Sequence, residues 1–125
     1  MTAREDIVRR LFASWIEDDP GMLAEAFASD AVYIESWGPE YRDLDRIRHW
    51  FDEWHTRGKV LSWDIAQFLH DGNQTAVEWR FECQMHGEAP AAFEGMTLIC
   101  WNSEDKIEFL KEFKCEINRY DPYAP

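Results

Sequence analysis

Read for its apolar and polar positions, the chain begins in helices and ends in strands. From Ala3 to Glu17, the residues Ile7, Leu11, Phe12 and Trp15 recur at helical spacing, which predicts one buried stripe. Asp19-Pro20 predicts a fresh start, with Asp as cap and Pro in the first turn of a short second helix. That helix carries Leu23 and Phe27 and is expected to end at Ser29-Asp30. Ala31 to Trp37 reads as a short strand, broken by Gly38-Pro39. A third helix is predicted over Asp43 to Arg57, with Leu44, Ile47, Phe51 and Trp54 as its inner stripe. Gly58 fits a left-handed residue just past its end.

The remainder reads as four long strands, Val60–His70, Gln74–Met85, Phe93–Trp101 and Lys106–Asn118. Asp71-Gly72-Asn73 is a hairpin signal, and His86–Pro90 and Asn102–Asp105 supply the other turns. Along Gln74–Met85, Thr75, Val77, Trp79, Phe81 and Cys83 share one face, and Ala76, Glu78, Arg80 and Glu82 share the other. The first set is the inner one, since the reverse would strand Glu78 and Arg80 in the interior. On the last strand, Ile107, Phe109, Phe113, Cys115 and Ile117 share one parity. Glu108, Leu110, Glu112, Lys114 and Glu116 share the other, and alternation alone puts Glu112 outside.

Phe93–Trp101 is apolar on both faces, so both are expected to be covered. Helices cover one; a homodimer packed through the convex sheet face would cover the other. The order predicts an α+β domain over 1–125, with 118–125 as a C-terminal tail. Three N-terminal helices pack over a strongly curved, mostly antiparallel sheet that encloses a pocket. Tyr120 and Tyr123 suggest a docked tail.

Composition sharpens this picture. Aromatics are 15% of the 125 residues, with 7 Trp, which predicts a large core or an aromatic cavity. A net charge of −12 repels phosphate backbones and anionic headgroups, so neither nucleic acid nor membrane is an expected partner. No apolar run approaches the ~20 residues of a spanning helix, and the first residues lack a signal peptide's apolar stretch; a cytoplasmic location is expected. Cys83, Cys100 and Cys115 form no CxxC pair and read as reduced thiols. His70 reads as a turn histidine, and His49, His55 and His86 as exposed. No two histidines have helical ligand spacing, so neither a metal nor a cofactor is expected.

Four segments carry a resemblance: Ser29–Gly38, Thr75–Trp79, Phe93–Ile99 and Lys106–Phe113. Their order and spacing resemble the SnoaL-like group of the nuclear-transport-factor-2-like superfamily, whose cystatin-like cone hosts ketosteroid isomerase, polyketide cyclases, limonene-epoxide hydrolase, scytalone dehydratase and transport factors. The resemblance places Glu35 at the isomerase's general-base position late in the first strand. Trp15 stands where that enzyme has a phenol donor, and Thr97 where it has a protonated acid, so neither strong donor is present. Trp79 and Phe81 replace the hydrolase's Arg and Asp, and Glu112 matches its acid on the last strand. That last match puts Glu112 inside, against the alternation.

What the resemblance implies is a pocket for a small apolar or planar molecule, with Glu35 as general base and Glu112 as a second acid. Trp15, Tyr33, Trp37, Tyr41, Val77, Trp79, Phe81 and Thr97 are the candidate lining, with Tyr41 on a loop over the opening. The implied chemistry is cofactor-independent isomerisation, dehydration or cyclisation. The residues also leave open a non-catalytic ligand-binding or protein-interaction module. In that plainer reading Glu35 pairs with Arg42 or Arg46, and Glu112 pairs with Lys114.

Overall fold

The computed structural model describes residues 2–125. Helix α1 spans Ala3–Glu17 and opens on Thr2, whose hydroxyl accepts from the Glu5 N–H at 3.1 Å. Glu5 and Asp6 in its first turn complement the positive end of the helix dipole. It buries Val8, Leu11, Phe12 and Trp15, and Asp18 ends it in the left-handed region at φ 54°. Helix α2 covers Gly21–Ala26. Pro20 takes the cap position, and the Asp19 carboxylate instead accepts from the Gly21 N–H at 3.0 Å.

Strand β1, Phe27–Ile34, starts earlier than the sequence suggests. Phe27 and Ala28 are buried, and Phe27 pairs with Ile107 across the sheet; that long-range pairing ends the helix before Ser29-Asp30. A short strand β2, Glu40–Arg42, pairs antiparallel with β1, so Tyr41 lies on a strand opposite Tyr33 rather than on a loop. Helix α3, Leu44–Arg57, is capped by Asp43, which accepts from the Arg46 N–H.

Strands β3 (Gly58–Asp71), β4 (Gln74–Met85), β5 (Ala91–Trp101) and β6 (Ile107–Cys115) follow. The sheet order is β2-β1-β6-β5-β4-β3, with β1 and β6 parallel and the other pairs antiparallel. The sheet is curved and unclosed, and α1 and α3 cross its concave side.

Gly58 is not a left-handed cap. Its backbone is extended at φ −164°, and a Cβ there would displace the flexible Met85 side chain and press on the Gln84 carbonyl at 3.0 Å. Gly95 is constrained more tightly, since a Cβ would meet the Phe113 backbone carbonyl at 2.3 Å and the Trp79 ring at 2.6 Å.

The last strand departs from simple alternation. Cys100 pairs with Phe109 but Trp101 pairs with Ile107, so one step on β5 spans two on β6. This bulge at Glu108 switches the inward parity: Ile107 is buried, and beyond the bulge Leu110 and then Glu112 face inward. Phe113, assigned inward by alternation, is 48% exposed on the outer face.

His55 is half-buried rather than exposed, with its ring turned inward. Its two ring nitrogens lie 2.7 Å from the Phe51 carbonyl and 2.9 Å from the Trp15 carbonyl, which ties α3 to α1. His70 bridges the Thr75 hydroxyl and the Glu5 carboxylate. The tail tyrosines do not dock, as Tyr120 and Tyr123 are almost fully exposed; the tail meets the sheet through Arg119, which pairs with Glu94. Among the described residues, no helix is long and apolar enough to cross a membrane.

A candidate active site in the aromatic cavity

Inward positions on the strands divide the concave face into a floor and a cavity. At the narrow end, Val77, Ile99, Trp101, Ile107 and Leu110 pack solidly. Thr75 is fully buried there and accepts the Trp101 indole N–H at 2.9 Å. Thr97 accepts the Trp79 indole N–H at 2.8 Å. Both indole donors are thereby satisfied, as burial requires.

Further along the same strands the helices no longer reach the sheet. A cavity of about 310 Å³ opens there. Trp15 of α1, Trp50 and Trp54 of α3, Trp63 of β3, Trp79 and Phe81 of β4 and Phe93 of β5 wall it. The rings brace one another: Phe12 stacks on Trp63 at 3.9 Å, Tyr41 stacks on Trp50 at 4.4 Å, and Trp15 meets Phe51 at 4.5 Å. Such packing fixes side chains that would otherwise close the space.

Two carboxylates reach this cavity. Glu112, brought inward by the β6 bulge, accepts a 2.6 Å hydrogen bond from the Tyr33 hydroxyl. Tyr33 is its only hydrogen-bond donor among the described residues. Its chain keeps some surface against the hollow, but the carboxyl lies deep. Burial, with the Glu35 charge in support, pushes it from the ordinary 4.5 up to about 7, although the Tyr33 bond opposes the shift. The Tyr33 phenol is driven well above its ordinary value by burial first and by Glu112 second. It therefore remains a hydrogen-bond donor at any ordinary pH.

Glu35 follows β1 at the mouth. Its backbone N–H donates to the Pro39 carbonyl, and its carboxylate accepts from the Tyr41 hydroxyl at 2.7 Å. Burial raises its pKa, and Tyr41, the Trp37 indole and Arg57 draw it back. The ion pairs considered from sequence do not form: Arg42 pairs with Glu40, Arg46 with Asp43, and Lys114 with Glu116.

Of the ten residues singled out from sequence, Glu35, Glu112, Trp15, Tyr33, Trp37, Trp79 and Phe81 line the cavity. Tyr41 lines an adjoining vestibule with His49, Glu53 and Arg57, and touches the site through Glu35. Val77 and Thr97 lie beneath it, in the packed floor. The sequence reading missed Trp50, Trp63, Phe93, Ser36, Cys83 and Lys114 as lining, and placed Trp54 only on the packing stripe of the third helix. Period two gave a usable signal for Cys83, which lies on the same face as Trp79 and Phe81. Among the described residues, no group of three or more His, Cys, Asp or Glu is placed to hold a metal ion.

Comparison with known proteins gives the same architecture. The SnoaL-like domain family matches residues 8–108. A Catenulispora acidiphila protein of ketosteroid isomerase-like fold, solved in complex with trimethylamine, is 20% identical; the match covers 89% of this chain and 85% of that one, at a TM-score of 0.78. A Mycobacterium tuberculosis epoxide hydrolase resembling limonene-epoxide hydrolase is 14% identical, over 90% and 82%, at 0.79. A Burkholderia pseudomallei NTF2-like protein of unknown function is 12% identical, over 92% of each chain, at 0.76. Identities this low concern the fold alone. No curated protein matches the sequence.

Proposed function

We propose that this chain, which belongs to the SnoaL-like domain family, is a cofactor-independent enzyme that moves a proton on a small molecule with an apolar body, in an isomerisation or cyclisation. The observation that carries the reading is Glu112. A carboxyl poised near 7 in a cavity walled by indoles is matched to neutral pH, where it both accepts and returns a proton. Tyr33 holds one carboxyl oxygen, leaving the other to the cavity.

Glu35, at the mouth and nearer the vestibule, is the second proton carrier. Two carboxylates in unequal surroundings divide acid and base roles. Replacement of the hydrolase's Arg and Asp by Trp79 and Phe81 weighs against epoxide opening.

The test pairs binding with turnover. A panel of small planar carbonyl compounds is screened by thermal shift, and binders are followed by proton exchange in deuterated water. For a true substrate, Glu112→Gln and Glu35→Gln retain binding and lose exchange by two orders of magnitude or more, the usual worth of a positioned acid or base. Exchange unaffected by both changes removes the proposal.

Assembly as a homodimer through the convex face is part of this reading. That face carries Phe113 and Leu69, 48% and 54% exposed, beside the partly buried Met96 and Leu98. A monomer by light scattering at micromolar concentration would rule it out.

A further inference from the structure

We infer that the cavity is built for a small organic cation, a methylated or otherwise hindered ammonium, held against the indole walls with Glu112 and Glu35 as its counter-charges. This deepens the preceding proposal and rests on its premise that the cavity takes a small molecule.

The charges in the lining are unequal. Among the described lining residues, Glu35 and Glu112 are acidic, and Lys114 is the one basic side chain. Lys114 is already engaged: its ammonium lies 3.4 Å from Glu116 and 4.7 Å from the centre of the Phe93 ring. An anion entering the cavity would meet two carboxylates. A neutral ligand would expel water from both without adding a counter-charge, leaving Glu112 to take up a proton and Glu35 to rely on Arg57. A cation offsets the same desolvation by direct attraction.

The walls agree. Six indoles, Trp15, Trp37, Trp50, Trp54, Trp63 and Trp79, line one cavity. Indole is the side chain whose face attracts cations most strongly, and clusters of such rings recognise quaternary ammonium groups. Lys114 over Phe93 shows an ammonium already resting on a ring of this wall. Two donors of the wall are committed, Tyr33 to Glu112 and the Trp79 N–H to Thr97, while the buried Trp63 N–H has no partner among the described residues. The acidic chain, at −12 overall, also draws cations from solution.

The test uses two probes of one shape, choline and its neutral carbon isostere 3,3-dimethylbutan-1-ol, titrated calorimetrically into the whole chain. The expected result is choline binding at least tenfold tighter. Near pH 7 choline also releases protons, read from buffers of different ionisation enthalpy, because the cation favours ionised Glu112. The groups facing Glu112 are Tyr33 and Glu35 at β1, Cys83 on β4 and Lys114 on β6, with Arg57 of α3 acting on Glu35. The release is assigned to Glu112, which burial pushes up to about 7, and its replacement tests the assignment. Glu112→Gln abolishes the proton release and cuts the choline preference at least threefold; Trp54→Leu weakens choline more than the isostere.

Isostere binding within threefold of choline overturns the cation inference and leaves the pocket reading intact. So does a choline preference that neither variant changes. Failure of both probes while planar carbonyl compounds bind overturns the inference alone. Failure of all three overturns both.

Discussion

Replacing Glu112 by Gln should stabilise the fold, and by an amount that depends on pH. In the unfolded chain this carboxyl titrates near 4.5, and in the folded chain near 7. A raised carboxyl means that the folded state disfavours the ionised form. Below about 4.5 the group is protonated in both states and contributes no penalty. Between 4.5 and 7 the unfolded state ionises first, and the penalty grows. Above 7 it is ionised in both, and the penalty saturates at about 3 kcal/mol. Gln keeps the shape and still accepts from Tyr33, but never ionises. For a domain of this size that difference is a rise in Tm of roughly 10 °C at pH 8. At pH 4 the two proteins should melt together. Paired thermal melts of both proteins from pH 4 to pH 8 are the assay, since other titrating groups cancel in the difference. A Tm difference that is constant with pH, or largest at pH 4, refutes the burial of the Glu112 carboxyl and with it the basis for its poise near neutrality.

Other consequences follow from the same contacts. Gly95→Ala should cost about 3 kcal/mol in denaturant unfolding, because the added Cβ meets the Phe113 carbonyl at 2.3 Å and backbone must move; a loss under 1 kcal/mol would mean β5 and β6 are not so closely apposed. Thr75→Val leaves the Trp101 indole N–H buried without its acceptor and should cost about 2 kcal/mol by the same measurement. Tyr41→Phe removes the donor that opposes the burial of Glu35, so the carboxyl resonance of Glu35 followed by carbon-13 NMR should titrate at higher pH than in the parent protein.

Much of the architecture was legible in local pattern. The α1 stripe ends in Trp15 and the β4 alternation places Trp79, Phe81 and Cys83 on one face, because helical and strand periods are properties of the local backbone. Tyr41 was different. Three residues, Glu40–Arg42, are too few for a period, and only their pairing with β1 makes them a strand and brings the Tyr41 hydroxyl to Glu35. The depth of each inward residue was equally hidden. Val77 and Trp79 obey one alternation, yet one lies in the floor and the other in the wall, because depth depends on where the helices cross.

The amino-acid sequence determined by itself the class of the domain, its helix and strand content and the aromatic stock of its interior, since these follow from residue type and period. Tertiary structure alone decided which acid became unusual. Local alternation faces Glu112 to water. A single extra residue in β6, accommodated by pairing with β5, turns it inward to Tyr33. A bulge has no local signature strong enough to read, because its geometry is selected by the neighbouring strand, and one residue of slip exchanges the two faces of everything that follows.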